Sequence, residues 1–145
     1  NIQTAVLPYY LKYNPQDNFY LAKETTNFQT NSQRTDGTYS KYSSIDDKMD
    51  DLHHYTWFIK TGRGRCTEDA CLEIRNKIIT RDEGISLVKK YDGEFPKTYI
   101  KDILKYLNLD MKEFENIIDS FRPKHLWKRE NNSWLLRKPI WEVKK

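Results

Sequence analysis

Between residues 97 and 121 the apolar side chains fall into two consecutive stripes. Ile100, Ile103, Leu104 and Leu107 form the first, and Phe114, Ile117, Ile118 and Phe121 the second. Both follow the i, i+3, i+4, i+7 spacing that places four side chains on one face of an α-helix. Between them, Asp110-Met111-Lys112-Glu113 has the form of a capping box with Asp as the cap. Neither stripe can stay in water, so the chain must fold helix against helix. The same reading extends upstream. Thr80-Arg81-Asp82-Glu83 is a second capping box, opening a helix to about Tyr91 whose stripe is Gly84, Leu87, Val88 and Tyr91. Thr67 starts a helix with acids in its first turn, and Cys71, Ile74 and Ile78 are expected on its inner face. Ser43 or Ser44 is expected to cap a long helix over 45–61, lined by Ile45, Met49, Leu52, Tyr55 and Ile59 and ended by Gly62. Asn14 followed by Pro15 begins a helix to about Asn27.

After Pro123 the pattern changes. Two short apolar-aromatic runs flank Glu130-Asn131-Asn132-Ser133, which predicts a β-hairpin, with Trp127 and Trp134 able to pair across its strands. The expected fold is therefore mainly α, with five to six helices and a C-terminal β-hairpin. Residues 5–13 should be a short extended segment, because Pro8 argues against a helix. Residues 29–44 are polar and lack periodicity; Asp36-Gly37 marks a turn, and Arg34, Tyr39 and Tyr42 suggest an ordered loop packed on something.

A chain of 145 residues can bury one core, and no apolar run approaches the roughly 20 residues that a bilayer span requires. The net charge, 25 − 21 = +4, permits an anionic ligand without demanding one. Cys66 and Cys71 have the spacing of neither a zinc knuckle nor an obvious disulfide, and reduced thiols are expected. The chain opens on Asn1, with an apolar patch and no cap, and reads as a piece of a longer protein.

The stretch with most chemical content is "KTGRGRCTEDACLEIR", Lys60 to Arg75. Gly62 and Gly64 would let backbone approach an anion at a helix N-terminus, and Arg63, Arg65 and Lys60 could add charge. It lacks the Lys-Ser/Thr of a P-loop, and the spacing equally fits a hinge between two helices. Asp46, Asp47, Asp50 and Asp51 crowd the start of the preceding helix, more acid than capping needs; the bland reading is dipole complementation and solvation. His53 and His54 lack metal-ligand spacing. Gly-x-Ser-x-Gly, His-Glu-x-x-His and Ser-Gly-Gly-x-Asp-Ser are all absent.

Taken in order, "YYLKYNPQDNFYLA", "RTDGTYSKYSSIDDKMDDLHHYTWFIKTGRGRCTEDACLEIRNKIITRDEGISLVKKYDGEFP" and "FRPKHLWKRENNSWLLRKPIW" closely resemble the C-terminal half of the N-acetyl sugar amidotransferases. These are enzymes of the PP-loop ATP-pyrophosphatase superfamily that serve surface-polysaccharide biosynthesis (LPS, pseudaminic or legionaminic acid). The departures fall at Thr61, Arg63 and Cys66. The resemblance implies that residues 1–145 are the C-terminal domain of an α/β PP-loop enzyme that converts an acetamido sugar to an acetamidino sugar. ATP would activate the amide oxygen, and glutamine-derived ammonia would displace AMP.

On that reading ATP and Mg²⁺ belong to the parent enzyme and neither stays on this piece, which is inactive alone and holds no catalytic residue and no metal. Lys60, Gly62, Gly64 and Arg65 would contact phosphate or the nucleotide-linked sugar, and Asp46, Asp47 and Lys48 would orient the ion or the sugar. Arg75, Arg81 and Glu83 would form a structural salt-bridge set. The implied partners are the N-terminal PP-loop half, an ammonia-supplying glutaminase, an activated N-acetyl sugar and a possible second copy of the chain, in the cytoplasm, with no membrane and no nucleic acid. Two alternatives from the residues alone are a winged-helix-like nucleic-acid-binding module (helices 80–91, 97–108 and 111–121 plus the hairpin) and a docking or oligomerisation domain.

Overall fold

The computed structural model describes residues 2–142. Its helices are α1 (Pro15–Thr25), α2 (Asp50–Thr61), α3 (Arg65–Arg75), α4 (Arg81–Tyr91), α5 (Ile100–Leu107) and α6 (Met111–Ser120). An antiparallel hairpin of β1 (Trp127–Glu130) and β2 (Ser133–Leu136) follows. The fold is mainly α, six helices with a C-terminal hairpin, as the apolar periodicity predicts. Both capping boxes are present: Thr80 with Glu83, and Asp110 with Glu113. Among the described residues no helix is long and apolar enough to cross a membrane.

Besides the helix expected over 97–108, which begins at Ile100, three boundaries differ from the sequence reading. The helix expected from residue 45 begins at Asp50. Ser44 adopts a left-handed backbone (φ 53°), and the Asp47 carboxylate accepts a hydrogen bond from the Met49 amide at 2.8 Å. This local turn competes with helix over 45–49 and leaves Ile45 exposed. Helix α3 begins at Arg65 rather than Thr67, and its buried residues are Cys66, Thr67 and Ala70. Cys71 and Ile78, expected inside, are exposed. Starting the helix two residues earlier and anchoring it on Cys66 sets the inward phase. Third, Leu7–Tyr9 form a 3₁₀ turn within the stretch expected to be extended.

Two small cores hold the elements together. Phe58 and Ile59 of α2 pack with Phe114 and Ile118 of α6 and with Trp127 of the hairpin. Cys66 and Ala70 of α3 pack with Val88 of α4, flanked by Leu87, Tyr91 and Trp141. The hairpin turn uses Asn131 (φ 47°) and Asn132 (φ 62°), the left-handed pair that a two-residue turn needs. Its register sets Trp127 opposite Leu136 and Trp134 opposite Arg129, so the two tryptophans are diagonal neighbours rather than a direct pair. The Arg122 guanidinium lies over both rings, 4.6 Å from the Trp127 centroid and 5.4 Å from that of Trp134.

The polar stretch 29–44 is pinned across the helices. Arg34 makes a two-pronged pair with Glu94 (2.6 and 2.8 Å) and lies over the Tyr91 ring. Thr38 is fully buried, and its hydroxyl donates to Asp69 of α3 at 2.6 Å. Helix α1, by contrast, buries none of its own residues and leans on this loop through a stacked Phe19–Tyr42 pair.

Candidate functional site

The hinge joining α2 to α3 is where sequence chemistry and tertiary structure meet. Gly62 ends α2 with a left-handed backbone (φ 73°), the conformation that favours glycine at this position. Gly64 opens α3 with an extended backbone, so its glycine answers to space rather than to conformation. A Cβ there would lie 2.6 Å from Asp92 Oδ1. The Asp92 carboxylate sits on the N-terminus of α3. Its Oδ2 accepts from the Gly64 amide (2.9 Å) and the Thr67 hydroxyl (2.7 Å), and its Oδ1 from the Thr67 amide (3.2 Å). Burial pushes this carboxyl up, while these bonds pull it back toward the ionised form. The anion that a helix N-terminus attracts is thus supplied from within the chain.

Arg65, the next residue, points into a polar network. Its Nε donates to Asp69 Oδ1 at 3.1 Å, and a terminal nitrogen donates to His54 Nε2 at 3.0 Å. Burial and the neighbouring Arg65 charge hold His54 below its ordinary value, so a neutral ring accepts this bond and its proton stays on Nδ1. Asp69 in turn takes the Thr38 hydroxyl, which links the loop, α3 and α2 through one chain of contacts.

On the outer side of this network the hinge fronts an open cleft of about 320 Å³ between α2 and α3. His54, Trp57, Arg63, Gly64, Glu68 and Cys71 line it. Trp57 is 54% exposed although it is a large aromatic side chain on a helix, and its ring meets His53 edge-on. The cleft therefore offers an aromatic face, a neutral imidazole, a free thiol and an Arg63 side chain open to solvent, with the Glu68 carboxylate as the one acid on its wall. That set suits an anionic ligand carrying a flat group. A second cleft, about 410 Å³, lies on the other side of Arg65 against α1, lined by Phe19, Phe28 and Tyr42.

The other residues singled out from the sequence lie elsewhere. Lys60 places its ammonium 4.6 Å from the Phe121 ring centroid and lines neither cleft. Lys48 is paired with Asp102 at 2.6 Å and lies over Tyr99. Asp46 and Asp47 are exposed in the turn before α2. Glu83 closes its capping box, which holds its carboxyl below the ordinary value, and Arg75 donates to the Cys71 carbonyl at 3.4 Å. Among the described residues no ion pair joins Arg75, Arg81 or Glu83, so the expected salt-bridge set does not form: Arg75 is exposed at the end of α3, and Arg81 and Glu83 are exposed in the first turn of α4. The cleft adds Trp57 and His54 to Arg63 and Gly64. The signal for them was the α2 spacing of His54, Trp57 and Thr61, a stripe separate from the apolar one.

No curated protein matches the chain. A family model does match, over residues 36–140, and its description is LPS biosynthesis protein WbpG-like, C-terminal domain. The matched segment runs from the Asp36-Gly37 turn to the end of the hairpin region and so contains the hinge, Asp92 and both sides of the cleft. The chain thus belongs to the WbpG-like family of LPS biosynthesis proteins, as its C-terminal domain.

Proposed function

We propose that this domain is the substrate side of an enzyme that turns an acetamido sugar into an acetamidino sugar, using ATP and glutamine-derived ammonia. The observation that carries the reading is the family match across the hinge and cleft, in a pathway that builds surface polysaccharide. In this reading the cleft between α2 and α3 receives the activated sugar. Trp57 supplies a stacking face, Arg63 a forked donor for phosphate, and His54, held neutral by Arg65, a hydrogen-bonding edge.

The residues here do not suit ATP and Mg²⁺. The hinge amides that could cradle a phosphate are spent on Asp92, and among the described residues no group of three His, Cys, Asp or Glu converges for a metal. The reading therefore assigns ATP and Mg²⁺ to the PP-loop half, and ammonia to a partner glutaminase, in the cytoplasm. The exposed apolar run Val6, Leu7, Tyr9, Tyr10 and Leu11 would meet that half.

The test is amidination by the full-length protein, followed by mass spectrometry with ATP, ammonium and a panel of free and nucleotide-linked N-acetyl sugars. Arg63→Ala and Trp57→Ala should each raise KM for the sugar about tenfold or more with little change in fold. Unchanged KM in both variants removes the cleft from the reaction, and no amidine from the wild type on any sugar removes the reaction itself.

A further inference from the structure

A third pocket, about 140 Å³, lies away from both clefts, where the polar loop meets the start of α2 and the segment before α5. Asp36, Asp51, Arg34, Ser44, Asn31, Thr98 and Tyr99 are among its lining residues. Asp51 is only 5% exposed, and Asp36 6%. Asp36 accepts one hydrogen bond, from the Thr98 amide at 2.8 Å. Among the described residues nothing donates to the Asp51 carboxylate, and the buried Ser44 hydroxyl has no partner either.

The nearby cations are committed elsewhere. Arg34 is taken by Glu94 on both terminal nitrogens, Lys48 by Asp102, and Arg65 by Asp69 and His54. A buried carboxylate without a partner, beside a second one, is costly unless something neutralises it. Burial and the neighbouring carboxylates, Asp36 first, push Asp51 up to about 6, so at neutral pH the charge is present with no hydrogen bond donated to it among the described residues.

We infer that this pocket binds a small protonated amine, the ammonium ion being the smallest, with its N–H groups donated to Asp51, Asp36 and the Ser44 oxygen. The chemistry of the lining selects this class. Two carboxylates share the lining, and the Arg34 guanidinium beside them is already spent on Glu94, which favours a ligand that brings its own donors and positive charge. No set of three metal-ligating side chains converges among the described residues, which disfavours a bare ion. The volume equals that of roughly four or five waters, enough for an amine carrying a few further heavy atoms. Tyr99 at the wall leaves an aromatic surface for the remainder. The inference stands on this pocket alone and does not need the amidotransferase reading.

The test is thermal unfolding of the full-length protein, at pH 7 and matched ionic strength, with four chloride salts: ammonium, methylammonium, potassium and tetramethylammonium. Ammonium and methylammonium should raise the melting temperature saturably. Potassium, close to ammonium in size but without N–H groups, and tetramethylammonium, charged but without donors, should not. In Asp51→Asn the apparent dissociation constant for methylammonium should weaken at least about tenfold. Should that variant fold poorly, amide shifts in the wild type decide: methylammonium should move Asn31, Ser44 and Thr98 and leave α6 unmoved. Equal stabilisation by all four salts, equal binding by potassium, undiminished binding in Asp51→Asn, or silent amides at those three residues would each overturn the assignment.

Discussion

The Asp92 carboxylate closes the α2–α3 hinge by accepting the Gly64 amide proton at 2.9 Å, while its other oxygen leaves no room for a side chain at that glycine. The same carboxylate takes the Thr67 amide and hydroxyl, so one acid from the end of α4 caps α3 across 25 to 28 residues of sequence. Removing it strips three charge-assisted hydrogen bonds from a buried helix end. Asp92→Ala should cost about 3 kcal/mol in urea unfolding. It should also open a vacant anion site, so sulfate should stabilise this variant more than the wild type, against a sodium chloride control.

Gly93 is a tighter case. Its backbone is left-handed (φ 74°), and an added Cβ would lie 2.1 Å from Phe58 Cε1, inside the ring that anchors the first core. Gly93→Ala combines backbone strain with overpacking and should destabilise the fold by roughly 3 kcal/mol or more. Gly37, also left-handed (φ 83°) but with nothing within 4 Å of an added Cβ, should cost only about 1 kcal/mol as Gly37→Ala. Side-by-side denaturant curves check the ranking.

Acid titration should show two opposed limbs. Glu94 is held at about 2, well below its ordinary value of 4.5, chiefly by the Arg34 pair. Its contribution is present above pH 4.5 and is lost as pH falls toward 2. Asp51 is raised from 3.8 to about 6 by burial, so the folded state binds its proton more tightly. Its contribution is complete below 3.8 and is lost as pH rises through 6. Stability should therefore peak near pH 4–5 on these two groups. Asp51→Asn should flatten the decline between pH 4 and 6, leaving the variant roughly 2 kcal/mol more stable than wild type at pH 7. Chemical unfolding at stepped pH reads both limbs.

The Trp127 indole donates to the Ile59 carbonyl at 2.7 Å, meeting one of the carbonyls left open at the C-terminus of α2. Trp127→Phe keeps an aromatic ring in the core but orphans that buried carbonyl, at about 1–3 kcal/mol by thermal unfolding. Arg122→Leu tests the guanidinium stacked on the same ring. It should lower stability by about 1 kcal/mol and shift the tryptophan emission.

Local rules were legible from the residues in order. The capping boxes at Thr80 and Asp110, the left-handed stop at Gly62, the Asn131-Asn132 turn and the helical phase of α4, α5 and α6 each depend on side chains within a few positions of one another, although Leu107, Ile117 and Phe121 of the expected stripes stay exposed. Short-range patterning missed the start of α2, because an Asx turn at Asp47 and a left-handed Ser44 outcompete a helix that apolar spacing alone would allow. It missed the inner face of α3 too, because Cys66 is drawn into a core that includes Val88 of α4.

The candidate site divides in the same way. Near-neighbour chemistry gathers glycines, arginines and acids at a helix N-terminus between residues 60 and 69, since capping and charge act within a few positions of chain. Which anion sits there depends on long-range packing. Asp92 arrives through the packing of α4 on α3, a contact between distant parts of the chain that no local spacing encodes. The placing of α2 beside α3 sets His54 against Arg65, which also pairs with Asp69 on its own helix, and leaves Trp57 and Arg63 facing the open cleft. Helix propensity is fixed by neighbours in the chain, but a buried charge takes whatever partner the fold delivers.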